Sequence, residues 1–469
     1  MRNTPAVCSG IRDNIKKEES ALHTISNSVV KKDHAPKMEG RSVYVCDIDK
    51  AFAEADKVYT EEFETGYQDQ TYLETQGMMA EPEEGGRMFV HGSMQCAYYV
   101  HGAVMRALNC GPADVHVHQD VTGGGFGAPQ AFFAVEMMMD HIAKDLGVDT
   151  LEFKEAHLVK QGDATSTSGK YHFPVPLPAM VDEVDKACDL RRKHKEYAKP
   201  QTGRYRRGIG FSMHFHGTGF TGSGERDLIK AVARLHKYKD GTVEILASNG
   251  EIGQGLRTTF PKIVAHELNL PLEKVFYDHP DTSRVPDSGP TVASRSLMTV
   301  GELLRRAAIK LRTEWKDGED QIVEEKFVEP DFMIPFYLDK FRGDAYPTYA
   351  WGAQAIEVEV DTYTGIAKIL GAYASFDVGT PMDYNIVMGQ MEGGFLQGIG
   401  YASTEFMNYD NKGRIRNNSF SDYLIPTAVD VPVLNCQLHV EEYPFGPYGA
   451  KGAGELPLVG AAKGGNGLW

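Results

Sequence analysis

The chain has 469 residues, 42% of them hydrophobic, and its 49 Lys and Arg against 65 Asp and Glu give a formal net charge of −16. That length suggests two to four domains of about 100–200 residues, and the acidic excess argues against bulk binding to nucleic acid or anionic membranes. No stretch approaches the ~18 apolar residues of a membrane span and the N-terminus has no apolar signal-peptide core, so the chain reads as cytoplasmic. The six cysteines show no C-x-x-C spacing, which leaves neither a zinc knuckle nor an iron–sulfur ligand set. Glycine is in excess, 49 residues or about a tenth against the usual ~7%, and it concentrates in a few loops.

Residues 1–40 are polar and aperiodic and read as a loosely ordered arm. Apolar residues recur at helical spacing over 93–108, Asn109-Cys-Gly111 supplies a stop, and 114–118 alternates as a strand. The cluster Gly123-Gly-Gly125-Phe126-Gly127 then turns that strand into a helix over 130–146. Further helices are expected over 150–160 and 177–195, followed by the basic, loop-like 199–207. A boundary there divides the chain into 41–200 and 201–469. The second part opens with a strand over 208–215 and a hairpin joining 231–236 to 242–247 through Lys239-Asp-Gly241. A glycine turn and helix follow, then a long helix over 295–316 and a hairpin pairing 355–360 with 367–375. Hairpins interleaved with helices make the fold class α+β.

Three glycine loops carry the chemistry. In the first, 121–127, consecutive glycines expose backbone N–H groups that form an anion nest, or else make a tight packed corner. It lacks the Lys-Ser/Thr of a phosphate-binding P-loop and does not match G-x-G-x-x-G. The second, Asn249-Gly-Glu-Ile-Gly-Gln-Gly255, places the Gln254 amide between two glycines, where it reaches a ligand or serves as a helix entry. The third, 446–458, sets Glu455 after small residues and before apolar ones. That suits a general base, the alternative being a surface carboxylate in a flexible loop. The pairs His116/His118 and His214/His216 each put two imidazoles on one strand face, yet no third ligand stands at a diagnostic spacing, so no metal ligands are assigned. Met137-Met-Met139 and Phe132-Phe133 read as core.

In order along the chain, residues 68–75 (QDQTYLET), Gln95 at the head of a helix, GGGFG at 123–127, GEIGQG at 250–255, TVASRS at 291–296, GQMEG at 389–393 and KGAGELPL at 451–458 resemble the molybdenum-binding large subunit of the xanthine dehydrogenase and aldehyde oxidoreductase family. The resemblance covers most of the chain from about residue 35. It implies two molybdopterin-binding α+β domains with the cofactor loops between them, and a molybdenum–molybdopterin cofactor, the cytosine dinucleotide being one form of it. It places Gln95, Phe126 and Gly127 near the metal and Gln254, Ala293, Ser294 and Gln390 on the pterin and its phosphates, with Gly125 and Gly253 also cofactor-binding. Glu455 would be the catalytic base and Phe211 would pack against a flat substrate ring. The implied activity is hydroxylation of a purine, another N-heterocycle or an aldehyde, with water as the oxygen source. Because the chain carries neither an iron–sulfur pattern nor a flavin fingerprint, separate iron–sulfur and FAD subunits are implied.

The sequence also departs from the family. A separate α/β segment usually stands between counterparts of Tyr44 and of residues 49–56, which here abut. GGGFGAPQ at 123–130 joins the front of one family motif, GGGFGGKE, to the back of another, RGFGAPQ, so a Glu and an Arg that contact substrate in xanthine-oxidising members are expected to be missing. The end at Trp469 implies the loss of a buttress behind Glu455. These departures support an alternative, a non-catalytic cofactor-binding or subunit-interaction remnant of such an enzyme.

Overall fold

The computed structural model describes residues 52–65, 68, 77–83, 86–125 and 130–460. The expected arm, most of the 68–75 motif, Phe126 and Gly127 lie outside the described residues.

Strands β1 (Met78–Pro82), β2 (Met88–Gly92) and, after helix α1 (Ala97–Leu108), β3 (Val115–Gln119) form a sheet of order β1-β2-β3. β2 pairs antiparallel with β1 and parallel with β3. Strict alternation along β3 buries Val115 and Val117 beneath α1 together with Val90 and Ala97. α1 begins four residues later than the apolar spacing suggests, because Met94 N–H donates to Thr122 Oγ1 (3.1 Å) and Gln95 O accepts Thr291 N–H (3.0 Å). These long-range bonds hold 93–96 out of the helix. Its end agrees with the sequence, Asn109 taking the left-handed cap at φ 53°.

Helices α2 (Gln130–Asp145) and α3 (Thr150–Ala156) follow, the latter capped by Asp149 Oδ1, which accepts Leu151 and Glu152 N–H at 3.0 Å. The single helix expected over 177–195 is two, α4 (Leu177–Cys188) and α5 (Leu190–Tyr197), broken where Asp189 turns left-handed at φ 60°. Then come β4 (Tyr205–Thr218), β5 (Val232–Lys237), β6 (Val243–Leu246), α6 (Leu256–Leu268), β7 (Val275–Tyr277), α7 (Gly301–Glu314), β8 (Gln321–Lys326), β9 (Thr348–Asp361), β10 (Ala367–Asp377), α8 (Tyr384–Ser403) and β11 (Leu434–His439). The expected helix over 295–316 starts as a π-turn, Ser296–Val300, before settling into α7.

Two four-stranded sheets result, β7-β6-β5-β8 and β11-β10-β9-β4. The first packs α6 and α7 on one side through Leu235, Ile245, Phe260, Val264, Leu304 and Leu311. The second is covered on one face by α4 and α5, where Phe211, Trp351 and Met180 meet, and on the other by α8, where Phe376, Phe395, Met391 and Leu456 meet. Helices on both faces and mixed strand directions make this α+β architecture. Along β4 the period of two sends Phe211, Met213 and Phe215 toward α4 and α5, and puts Ser212, His214 and His216 on the face that meets residues 455–457. No helix among the described residues is long and apolar enough to cross a membrane.

Candidate active site

A cavity of about 900 Å³ opens among the loops that follow β3 and β6, the segment 291–297, helix α8 and residues 452–458. One part of its wall is Gln95 with Gly123–Gly125, the segment that leaves β3. A Cβ at Gly125 would lie 2.2 Å from Gln95 Nε2 and would push that amide aside. Gln95 Nε2 in turn donates to Thr291 O at 3.0 Å, which ties this wall to the facing one.

The loop before α6 is held mainly by bonds within itself, and Gly250 N–H ties it across to Thr291 Oγ1 at 2.8 Å. Glu251 accepts Gly253 N–H (2.8 Å) and Gly255 N–H (2.9 Å) on Oε1 and Arg257 N–H (2.9 Å) on Oε2. Gln254 closes the same loop, its Oε1 accepting Ile252 N–H (2.6 Å) and its Nε2 donating to Gly250 O (3.0 Å). The Gln254 amide therefore turns inward on its own loop, even though the residue borders the cavity. Beyond it the N-terminal turn of α6 contributes Leu256 and Thr259 to the wall.

The opposite wall runs through 291–297. Ala293 and Ser294 both sit in the left-handed region at φ 53° and 50°, conformations that cost non-glycine residues about 1–3 kcal/mol each and persist only where surroundings over-determine them. Here Ala293 O accepts Gly219 N–H (3.1 Å) and the next residue, Arg295, is fully buried. Its Nη2 donates to Glu225 Oε2 (2.8 Å), Nε pairs with Oε1 of the same carboxylate, and Nη1 reaches Ser288 O (2.9 Å) and Pro290 O (3.0 Å). α8 completes the enclosure with Gly389, Gln390 and Gly393, and a Cβ at either glycine would meet nothing within 4 Å. This glycine stripe leaves the helix surface open to a flat ligand.

Glu455 stands on the last wall segment. Its Oε2 accepts Ser294 Oγ–H at 2.9 Å and lies 3.5 Å from His216 Nε2, while its backbone N–H donates back to Ser294 Oγ at 3.3 Å. The segment is anchored at Lys451, fully buried, whose Nζ meets Asp377 Oδ2 at 2.5 Å. Gly452 lets it pass against residue 294, because its Cβ would fall 2.0 Å from Ser294 O. Beside this segment His214 is buried, its Nε2 3.2 Å from Leu456 O, and burial pushes its imidazole down to about 4. Burial pushes the Cys96 thiol, next to Gln95, up to about 11, which keeps it protonated near neutrality.

Gln95, Gly125, Gly253, Gln254, Ala293, Ser294, Gln390 and Glu455 thus all border one cavity. Phe211 does not join them. Strand parity directs it to the α4/α5 side, where it is 4% exposed, with the His194 ring edge-on at 5.2 Å and Lys154 Nζ 5.0 Å from its centroid. His116 is engaged by Asp281 (2.8 Å) and Glu83 (3.3 Å), and no three His, Cys, Asp or Glu side chains among the described residues converge as metal ligands. Sequence reasoning passed over Thr291, Arg295, Lys451 and the position of His216. A lone arginine within TVASRS and a lone lysine in a glycine run are the signals that point to buried partners.

Models of a molybdopterin cofactor-binding domain match residues 183–332 and 319–432 in one case, more than half of the chain, and 31–128 and 125–158 in the other. The chain belongs to the molybdenum hydroxylase family. It is 29% identical over 375 residues to the putative xanthine dehydrogenase molybdenum-binding subunit of Escherichia coli K12, covering 72% of this chain and 49% of that protein. It is 30% identical over 358 residues to the aldehyde oxidoreductase of Megalodesulfovibrio gigas, covering 71% and 38%. The chain therefore spans about half or less of the length of these relatives. In fold it resembles the CO dehydrogenase of Oligotropha carboxidovorans (TM-score 0.78, 18% identity, 90% of this chain and 73% of that one). It also resembles the aldehyde oxidoreductase of Desulfovibrio gigas (TM-score 0.77, 19% identity, 89% and 59%).

Proposed function

We propose that this chain is the cofactor-binding, catalytic part of a molybdenum-dependent hydroxylase. It acts on a purine, another N-heterocycle or an aldehyde, takes its oxygen from water, and passes electrons to iron–sulfur and FAD partner chains. The observation that carries the reading is Glu455: a carboxylate pinned through one oxygen at the wall of a large cavity that is lined by glycines, amides, hydroxyls and aliphatic side chains, with Glu405 as a second carboxylate. The relative named a molybdenum-binding subunit supports partner chains. The proposal keeps two cofactor-binding domains with the boundary near residue 200, between α5 and β4, although α4 and α5 pack on the second sheet.

The cavity suits a molybdopterin. It has the volume for a bound cofactor and a glycine stripe on α8 that a Cβ would fill. Gln95, Gly125, Gly253, Ala293, Ser294 and Gln390 would hold it, Gln254 acting by shaping its loop because its amide is used within it, with Phe126 and Gly127 adjoining in sequence. When bound, the cofactor supplies two-electron redox chemistry and activates water as the oxygen nucleophile. The chain's own contribution is to orient that group and to take up a proton at the Glu455 carboxylate. Glu455→Gln keeps the shape and removes the base, so turnover is expected to fall by about 10²-fold or more at unchanged molybdenum content. Turnover at the wild-type level would sink the assignment.

One observation favours a second reading, a cofactor-binding remnant without turnover. The two matched segments 31–128 and 125–158 meet at 125–128, where GGGFGAPQ joins two family motifs, and this supports an internal shortening beside the cavity. Elemental analysis and oxidised-pterin fluorescence of the chain co-expressed with iron–sulfur and flavin partners separate the two. Near-stoichiometric molybdenum with turnover supports the enzyme, and loaded but inactive protein supports the remnant.

A further inference from the structure

β4 carries two imidazoles on the face that meets residues 455–457, and they are differently used. His214 is satisfied on both ring nitrogens, Nε2 at Leu456 O (3.2 Å) and Nδ1 at Ser212 Oγ (3.3 Å). His216 brings Nε2 to 3.5 Å from Glu455 Oε2, and its Nδ1 is buried with no hydrogen-bond partner among the described residues. A proton on that Nδ1 would be a buried donor without an acceptor, which is costlier than a bare lone pair, so the neutral ring carries its proton on Nε2, toward the carboxylate.

We infer that His216 is a positioning residue for Glu455: its Nε2–H and the Ser294 hydroxyl together hold Oε2, which leaves Oε1 as the oxygen that receives the proton. This rests on the reading of Glu455 as the base. A carboxylate held at one oxygen by a single hydroxyl still turns about its terminal torsion, a soft and broad one; the imidazole, in contact at 3.5 Å, adds a second, weaker restraint on Oε2 that narrows that rotation. The strand pairing braces the imidazole from one side, because β4 is the edge strand of the second sheet and His216 stands in register with Ala350 of β9. Gly217 beside it leaves space for the Tyr346 ring, which a Cβ there would strike at 2.3 Å, so the strand bearing the imidazole is packed from the neighbouring side as well.

The test has two readouts. In the full chain with isotope-labelled histidine, the His216 signals, identified by their loss in His216→Gln, are expected to report the Nε2–H tautomer and to move in Glu455→Gln. An Nδ1–H ring, or signals that Glu455→Gln leaves in place, overturns the proposal. In the cofactor-loaded enzyme with its partners, His216→Leu is expected to lower kcat about tenfold at unchanged KM and molybdenum content. His216→Gln, which keeps an N–H at the reach of Nε2, is expected to recover most of that loss. Equal losses in both variants accompanied by falling molybdenum content mean a packing role and overturn it too. Should His216→Leu not fold, His216→Asn, an amide one carbon shorter, takes its place. A wild-type chain that never takes up molybdenum defeats the functional reading, while the tautomer and its coupling to Glu455 still decide the role of His216.

Discussion

The two sides of the cavity are held by different means. The loop at 250–255 is secured largely by its own neighbours, Glu251 bonding to N–H groups two, four and six residues away and Gln254 to residues within four, with Gly250 N–H also donating across to Thr291 Oγ1 at 2.8 Å. The facing segments, 291–297 and 451–455, depend on charges far off in sequence, Arg295 on Glu225 and Lys451 on Asp377. Short-range bonds form as the chain turns and cost little additional ordering. A buried ion pair between distant segments is favourable only once the surrounding core has closed, and it leaves an uncompensated charge if either partner is lost. The side that bears Glu455 and Ser294 is therefore conditional on the whole fold, and the 250–255 side less so, its distant ties being neutral hydrogen bonds to Thr291 and Gln119 rather than buried charges.

Breaking the distant pairs is the strongest way to challenge this contrast. Arg295→Met leaves Glu225 buried without its partner and is expected to destabilise the chain by about 3–5 kcal/mol in denaturant unfolding, with the pair-wise Arg295→Met, Glu225→Leu change recovering much of it. Lys451→Met is expected to cost slightly less, about 3 kcal/mol, because Asp377 Oδ1 keeps the Gly379 and Glu441 N–H groups at 2.9 and 3.1 Å.

Acid probes the same side. The His214 imidazole is held near 4 by burial, against about 6.5 in the unfolded chain, so between these values the unfolded state binds a proton that the folded state refuses. Stability is whole above about pH 6.5 and is expected to fall by up to about 3 kcal/mol as the pH drops toward 4, with His214→Gln flattening that slope. A slope unchanged in His214→Gln would assign the acid sensitivity elsewhere. The smallest effect is expected on the local side: Glu251→Gln weakens a few N–H contacts, for about 1–2 kcal/mol, read from the unfolding midpoint. A loss as large as that of Arg295→Met would erase the distinction between the two sides.

Much of the fold and the candidate site was legible in the residues. Apolar spacing marked α1, α2 and α7, the turn residues Lys239–Gly241 and Asp361–Gly365 marked the hairpins, and the glycine clusters marked the loops that come to line the cavity. These are local properties, because glycine conformations, turns and amphipathic periods depend on neighbours within a few residues. The departures have long-range causes. Bonds from 94 and 95 to 122 and 291 delay the start of α1, and a left-handed Asp189 splits one expected helix into two.

Phe211 and His216 make the point on a single strand. Both were visible in the sequence, yet an aromatic that resembled a substrate contact is buried against α5, and a histidine without an assigned role lies 3.5 Å from Glu455. The alternation of β4 separates their faces, but which face looks toward the cavity is set by what packs on either side of the sheet. The amino-acid order was enough to specify the family, the α+β class and the loops that gather at the cavity. The orientation of Gln254, the buried partners of Arg295 and Lys451, and the approach of His216 to Glu455 were decided only by the closed tertiary structure, because each depends on groups that meet across long stretches of chain or on which bonds a closed loop leaves unused.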